Sequence, residues 1–211
     1  MTLAARRLAA LLCGMVCSLA LGCAGSGRID LAALNYRDID PPEPTYTTLP
    51  IQRCTWWTDE RGQVWVAMQH ERAVVLTGDK LLFRLSLVLD ALPAGRAKNY
   101  LVSRRELRAF ARFGPAQARY TSLAGIVALY REDGDRLRGS LRLDVAQQAQ
   151  QLLGGWTREQ RHLMLGKFVA VPDDGWGRTL AAETEALGWQ RDPPPPATQP
   201  AADSPAQPER R

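Results

Sequence analysis

The sequence predicts a mainly-β fold, a single antiparallel β-sandwich or barrel-like domain with a few short helices between disordered termini. Three stretches carry that expectation. Lys80–Asp90 places Leu81, Phe83, Leu85, Leu87 and Leu89 at period two with Arg84, Ser86 and Asp90 on the other face, the pattern of a half-buried strand. Asp133-Gly134 is a two-residue hairpin signal, because both residue types tolerate positive φ. Leu163–Val171 is apolar at nearly every position and reads as a strand buried on both faces. Many short strands joined by turns, with few helices, favour an antiparallel sandwich or barrel.

The chain opens with Arg6 and Arg7 followed by the apolar run Leu8–Cys23, which is shorter than the about 20 residues a spanning helix needs. A basic start, a short apolar core and a small residue before a cut site make an export signal, expected to cover residues 1–22. The ending Leu19-Ala20-Leu21-Gly22-Cys23 resembles the lipobox of bacterial lipoproteins, in which the cysteine is acylated and becomes the first mature residue. Gly22 and Cys23 fit that pattern; Ala20 and Leu21 are less usual there. The resemblance covers the leader alone, and it implies a protein lipidated at Cys23 and held on a membrane of the cell envelope. Acylation of Cys23 would leave Cys54 unpaired, whereas an unmodified Cys23 could form a disulfide with Cys54 in an oxidising compartment.

Residues 23–50 carry Pro41, Pro42, Pro44 and Pro50 with few apolar positions at a regular period, and are expected to form an extended tether in which Asp30–Leu34 could make one helical turn. Residues 51–190 contain only Pro93, Pro115 and Pro172, and suit one domain with one core. Within them, Arg53–Trp57 and Gln63–Gln69 read as a hairpin around Asp59-Glu60-Arg61-Gly62. In Ser103–Phe113, the Ser103/Glu106 capping-box spacing favours a helix over a strand. Counting outward from Asp133-Gly134 pairs Tyr130 with Leu137, Ala128 with Gly139, Ile126 with Leu141 and Ala124 with Leu143, which gives one buried face. Gln147–Gln151 reads as a short surface helix, and Thr179–Leu187 as a final helix ending at Gly188. Residues 191–211 hold seven prolines among alanine, glutamine and aspartate, and are expected to stay disordered.

The formal charge of +5 becomes +3 once Arg6 and Arg7 leave with the leader. The arginines are spread through the domain among acids, so a solvated surface is expected and no nucleic-acid partner. The densest basic stretch, Arg96 to Arg119, is the segment that would face anionic lipid head groups.

Known catalytic patterns are missing from the sequence. It has two histidines, His70 and His162, far apart and without HExxH spacing, and no GxSxG elbow, P-loop or GxGxxG after a strand. Asp59-Glu60, Glu132-Asp133-Asp135 and Asp173-Asp174 fall in predicted turns, where carboxylates serve the backbone; paired for glycan cleavage they would make an envelope hydrolase, the least favoured reading. No catalytic residue, metal ligand or cofactor is expected. Six tryptophans remain. Alternation puts Trp56 and Trp57 on opposite strand faces, and Trp176 stands between two glycines, so Trp57 and Trp176 are the candidates for stacking on a sugar or another ligand. The expectation is a non-enzymatic envelope lipoprotein whose β domain binds or scaffolds an envelope protein or glycan.

Overall fold

The structure is a computed structural model that describes residues 26–34, 45–73, 80–92, 97–104, 106–151, 154–173 and 175–188. Cys23, the leader and residues 191–211 lie outside the described residues. The chain runs β1 (Ser26–Ala33), β2 (Tyr46–Ile51), β3 (Arg53–Thr58), β4 (Val64–Ala73), β5 (Lys80–Leu89), β6 (Ala97–Val102), β7 (Leu107–Phe113), β8 (Ala116–Arg131), β9 (Leu137–Ala149), β10 (Gln160–Pro172) and α1 (Trp176–Gly188). Strands β3, β4, β5, β7, β8, β9 and β10 close into a seven-stranded barrel, so the expected mainly-β fold takes its barrel form.

Closure depends on strands that change neighbour along their length. One edge of β8 pairs with β7 over Ala116–Thr121 and with β6 over Gly125–Tyr130, the switch falling at a bulge between Ser122 and Ala124. One edge of β10 pairs with β1 over His162–Val169 and then, parallel, with β3 at Val171 and Pro172. β6 and β7 are therefore successive pieces of one line. The Ser103 backbone N–H and hydroxyl both donate to the Glu106 carboxylate in the turn between them. Both bonds run from Ser103 to Glu106 and close a turn, so the capping-box spacing seen in the sequence starts no helix and Leu107–Phe113 is strand. β2 and β3 are joined in the same way at Gln52, whose side chain bonds both the N–H and the C=O of Glu71 and so stands in for a ladder pair.

The barrel interior is filled. Phe83, Met68, Leu85, Leu87, Leu107, Leu129, Leu143 and Met164 are wholly buried, as expected for a barrel of this strand number. Phe168 of β10 lies over Gly139, its register partner on β9, and a Cβ there would collide with the Phe168 ring, so that position needs glycine. The Trp56 indole N–H donates to the Asp135 carbonyl at 2.8 Å and ties β3 to the β8–β9 turn.

Several expectations need correction. The proposed tether contains β1 and β2: Ile29, Leu31, Leu49 and Ile51 alternate into the core, so the folded unit includes strands from both sides of the proline-rich stretch and is not confined to residues from Ile51 on. The proposed helical turn at Asp30 is part of β1. The prolines at 41, 42 and 44 fall between the two strands, and their density concealed the short period-two patterns on either side. Gln147–Gln151 is no helix, because β9 runs on to Ala149 with Gln147 bonded to the Tyr120 hydroxyl and Gln148 to Arg119.

The β8–β9 register also differs. Residues 132–136 form a longer turn containing a short 3-10 segment, with Gly134 and Asp135 both at positive φ. Arg131 thus pairs with Leu137, and Val127 with Leu141. A one-residue slip exchanges the faces of a strand. Val127 and Leu129 point inward, while Ile126 and Tyr130 are about half exposed outside. On β10 the outward Leu163, Leu165 and Val169 are only half-buried and Lys167 is exposed, so this strand is buried on one face rather than two.

Candidate binding surface

The outer wall of the barrel has two distinct parts. Over β3, β4, β5 and β7 it is covered by α1. Asp173 starts this helix by accepting the Gly177 N–H at 2.8 Å, a side-chain cap that satisfies one of its unpaired donors. Leu180 and Ala181 then pack on Trp57, Trp65 and Ala67. Arg84 of β5 pairs with Glu183, and Arg108 of β7 with Glu185.

This packing decides the fate of the two tryptophans singled out in the sequence. Trp57 does point outward, but it is only 9 % exposed and stacks on Trp65 with ring centroids 5.7 Å apart. Trp176 is half-buried at the start of α1, with the Arg53 guanidinium 4.1 Å over its ring. The two rings anchor a helix. The expectation that Trp57 would offer a stacking platform is corrected by its burial, and one face of the Trp176 ring is taken by an arginine.

Other candidate groups are similarly engaged. Cys54 is fully buried, and burial pushes its thiol well above the usual range, away from the thiolate that a nucleophile needs. His70 is buried with Nδ1 2.6 Å from the Pro50 carbonyl. His162 lies edge-on to Tyr120 at 6.1 Å, and burial lowers its pKa. Asp59 accepts from the Trp65 indole N–H and from the N–H groups of Arg61 and Gln63, and these bonds, the indole's first, hold its pKa below the ordinary value. Glu132 pairs with Arg138 and Asp135 with Arg131. Among the described residues no three His, Cys, Asp or Glu side chains gather as a metal site. A polar cleft of about 330 Å³ lies beside β6, lined by Gln63, Asp90, Lys98, Tyr100 and Glu106 among others. Its Tyr100 hydroxyl donates to the Ala91 carbonyl, and burial together with the Asp90 charge pushes that phenol up to about 12.

The other part of the wall, over β8, β9, β10 and β1, is built differently. Arg28 of β1 stands directly opposite Lys167 of β10. On its other side Lys167 faces Ser140 of β9, which places Arg138 and Arg142 at the two diagonal positions. Opposed residues in antiparallel strands have Cβ atoms about 5 Å apart, and diagonal ones about 7–8 Å. Three exposed arginines are thus gathered around the exposed Lys167. Asp30 answers Arg28 at 2.9 Å and is also held by the Thr48 hydroxyl, and Glu132 answers Arg138 at 2.6 Å. Asp144 shares the face two residues beyond Arg142. Among the described residues, Lys167 and Arg142 have no ion-pair partner. Tyr130, 45 % exposed, flanks Arg138 on β8, and Ile126 flanks Arg142.

Sequence reasoning did not find this cluster. It pointed instead to Arg96–Arg119, where the structure pairs Arg104 with Glu159, pairs Arg108 with Glu185 and lays Arg119 over Trp156 at 4.4 Å. No protein-family model, curated protein or solved structure matches the chain.

Proposed function

We propose that this is an exported lipoprotein of the bacterial cell envelope, anchored through acylated Cys23, whose barrel works by binding at its outer surface and not by catalysis. The observation that carries the reading is the lipobox-like Leu19–Cys23 ending placed just before β1, which starts at Ser26 and pairs along its whole length with β10. The leader therefore runs almost directly into the barrel. A filled interior leaves the outer wall as the larger surface for recognition. Apolar residues inside and charged ones outside are the reverse of a membrane-spanning barrel, which favours a domain seated beside a bilayer. No helix among the described residues is long and apolar enough to cross one.

Replacing Cys23→Ser tests the anchor. The expected result is loss of membrane association together with an uncleaved or differently processed precursor. A variant that still fractionates with membranes and matures normally would contradict the reading.

A further inference from the structure

We infer that the cations Arg28, Arg138, Arg142 and Lys167 form a contact surface for anionic phospholipid head groups, seating the barrel flat against the bilayer that holds Cys23. The inference rests on the lipid-anchor reading and adds an orientation and a lipid class to it.

Three observations support it. The first is chain length. Cys23 and Ser26 are three peptide units apart, so their Cα atoms are separated by at most about 11 Å. Arg28 and Lys167 lie two residues farther along β1, about 7 Å at the rise of a strand. An acylated Cys23 therefore holds this part of the wall within about 20 Å of its own lipid, close enough for the patch to meet the head groups. The second is shape. The four cations occupy three adjacent strands, and at about 4.8 Å per strand the patch is about 10 Å wide, narrow enough on a curved barrel to face a plane.

The third is charge. Like charges directly opposite in a sheet destabilise it. Arg28 faces Lys167 with Arg138 and Arg142 on the diagonals; the carboxylates Asp30 and Glu132 already serve Arg28 and Arg138, and Asp144, two residues beyond Arg142, is the third acid on this face. Phosphate groups would neutralise the remainder. Each basic side chain near an anionic membrane surface adds to the attraction. Tyr130 beside Arg138 supplies the amphipathic ring that suits the boundary between water and acyl chain.

The test uses the mature chain from residue 23 onward carrying Cys23→Ser, so that no acyl chain contributes. It is mixed with vesicles of equal parts phosphatidylglycerol and phosphatidylcholine, and separately with phosphatidylcholine alone, and bound protein is read by flotation. Binding is expected only to the anionic vesicles, and is expected to vanish at about 1 M salt, where the Debye length is about 3 Å. The pair Arg142→Glu and Lys167→Glu should weaken it roughly ten-fold or more. The pair Arg61→Glu and Arg158→Glu, the same charge change elsewhere on the surface, should leave it within about two-fold.

Binding unchanged by the first pair, or equal on neutral vesicles, would overturn the assignment. So would a dimer that the first pair dissociates, since the patch would then belong to a second copy of the chain. The mass of the native mature N-terminus separates the two ideas. An unmodified Cys23 with vesicle binding intact removes the anchor alone, and an acylated Cys23 without vesicle binding removes the patch alone.

Discussion

On the side of β3, β4, β5 and β7, helix α1 covers the barrel, and the arginines beneath it, Arg84 and Arg108, are matched by Glu183 and Glu185. On the side of β8, β9, β10 and β1, no described element lies over the wall, and Lys167 and Arg142 are set among other cations without an ion-pair partner among the described residues. Both sides belong to one closed sheet and both carry arginine. On the covered side charge and aromatic surface are used for cohesion. On the open side Asp30 and Glu132 answer only Arg28 and Arg138, and Lys167 stands opposite and diagonal to like charges.

The largest expected effect lies on the covered side. Trp57→Ala removes the ring that stacks on Trp65 and supports Leu180, and should cost about 3–5 kcal/mol in denaturant unfolding. Tyr130→Ala on the open side should stay within about 0.5 kcal/mol. Equal losses at the two positions would erase the distinction between the faces.

Next are the ion pairs. Glu183→Ala leaves the Arg84 guanidinium largely buried and unanswered, and should cost about 1–2 kcal/mol by the same measurement. Arg142→Ala on the open face removes no partner and should cost less than about 0.5 kcal/mol.

A smaller effect should come from the barrel interior. Burial lowers the His162 pKa below its ordinary 6.5, so the folded state prefers the neutral ring. Stability from this group is complete above pH 6.5 and is lost as pH falls through the lower folded value. A melting series should show that decline, and His162→Phe should flatten it. If the decline persists unchanged in the variant, the acid sensitivity comes from one of the faces.

What the sequence made legible was what local pattern decides. The Arg53–Trp57 and Gln63–Gln69 hairpin formed as expected around Gly62, and so did the period-two β5 and a helix ending at Gly188. The β8 face was misplaced because the turn holds five residues rather than two, and turn length alone sets which face Ile126 and Val127 take. β1 and β2 were hidden by neighbouring prolines. Trp57 was correctly placed outward, yet outward is not exposed when a helix from the far end of the chain folds back over it. The cation patch had no sequence signal as a unit, because Arg28 meets Lys167 only through the pairing of β1 with β10.

The central claim is that the open face sacrifices some stability for an anionic partner. Lys167→Glu tests it in one protein, measured both for unfolding free energy and for flotation with phosphatidylglycerol vesicles. The reversal replaces repulsion from Arg28, Arg138 and Arg142 with attraction, so stability should rise by about 0.2–1 kcal/mol while vesicle binding falls. A variant that is less stable than the parent, or that binds the vesicles as well as before, would contradict the account.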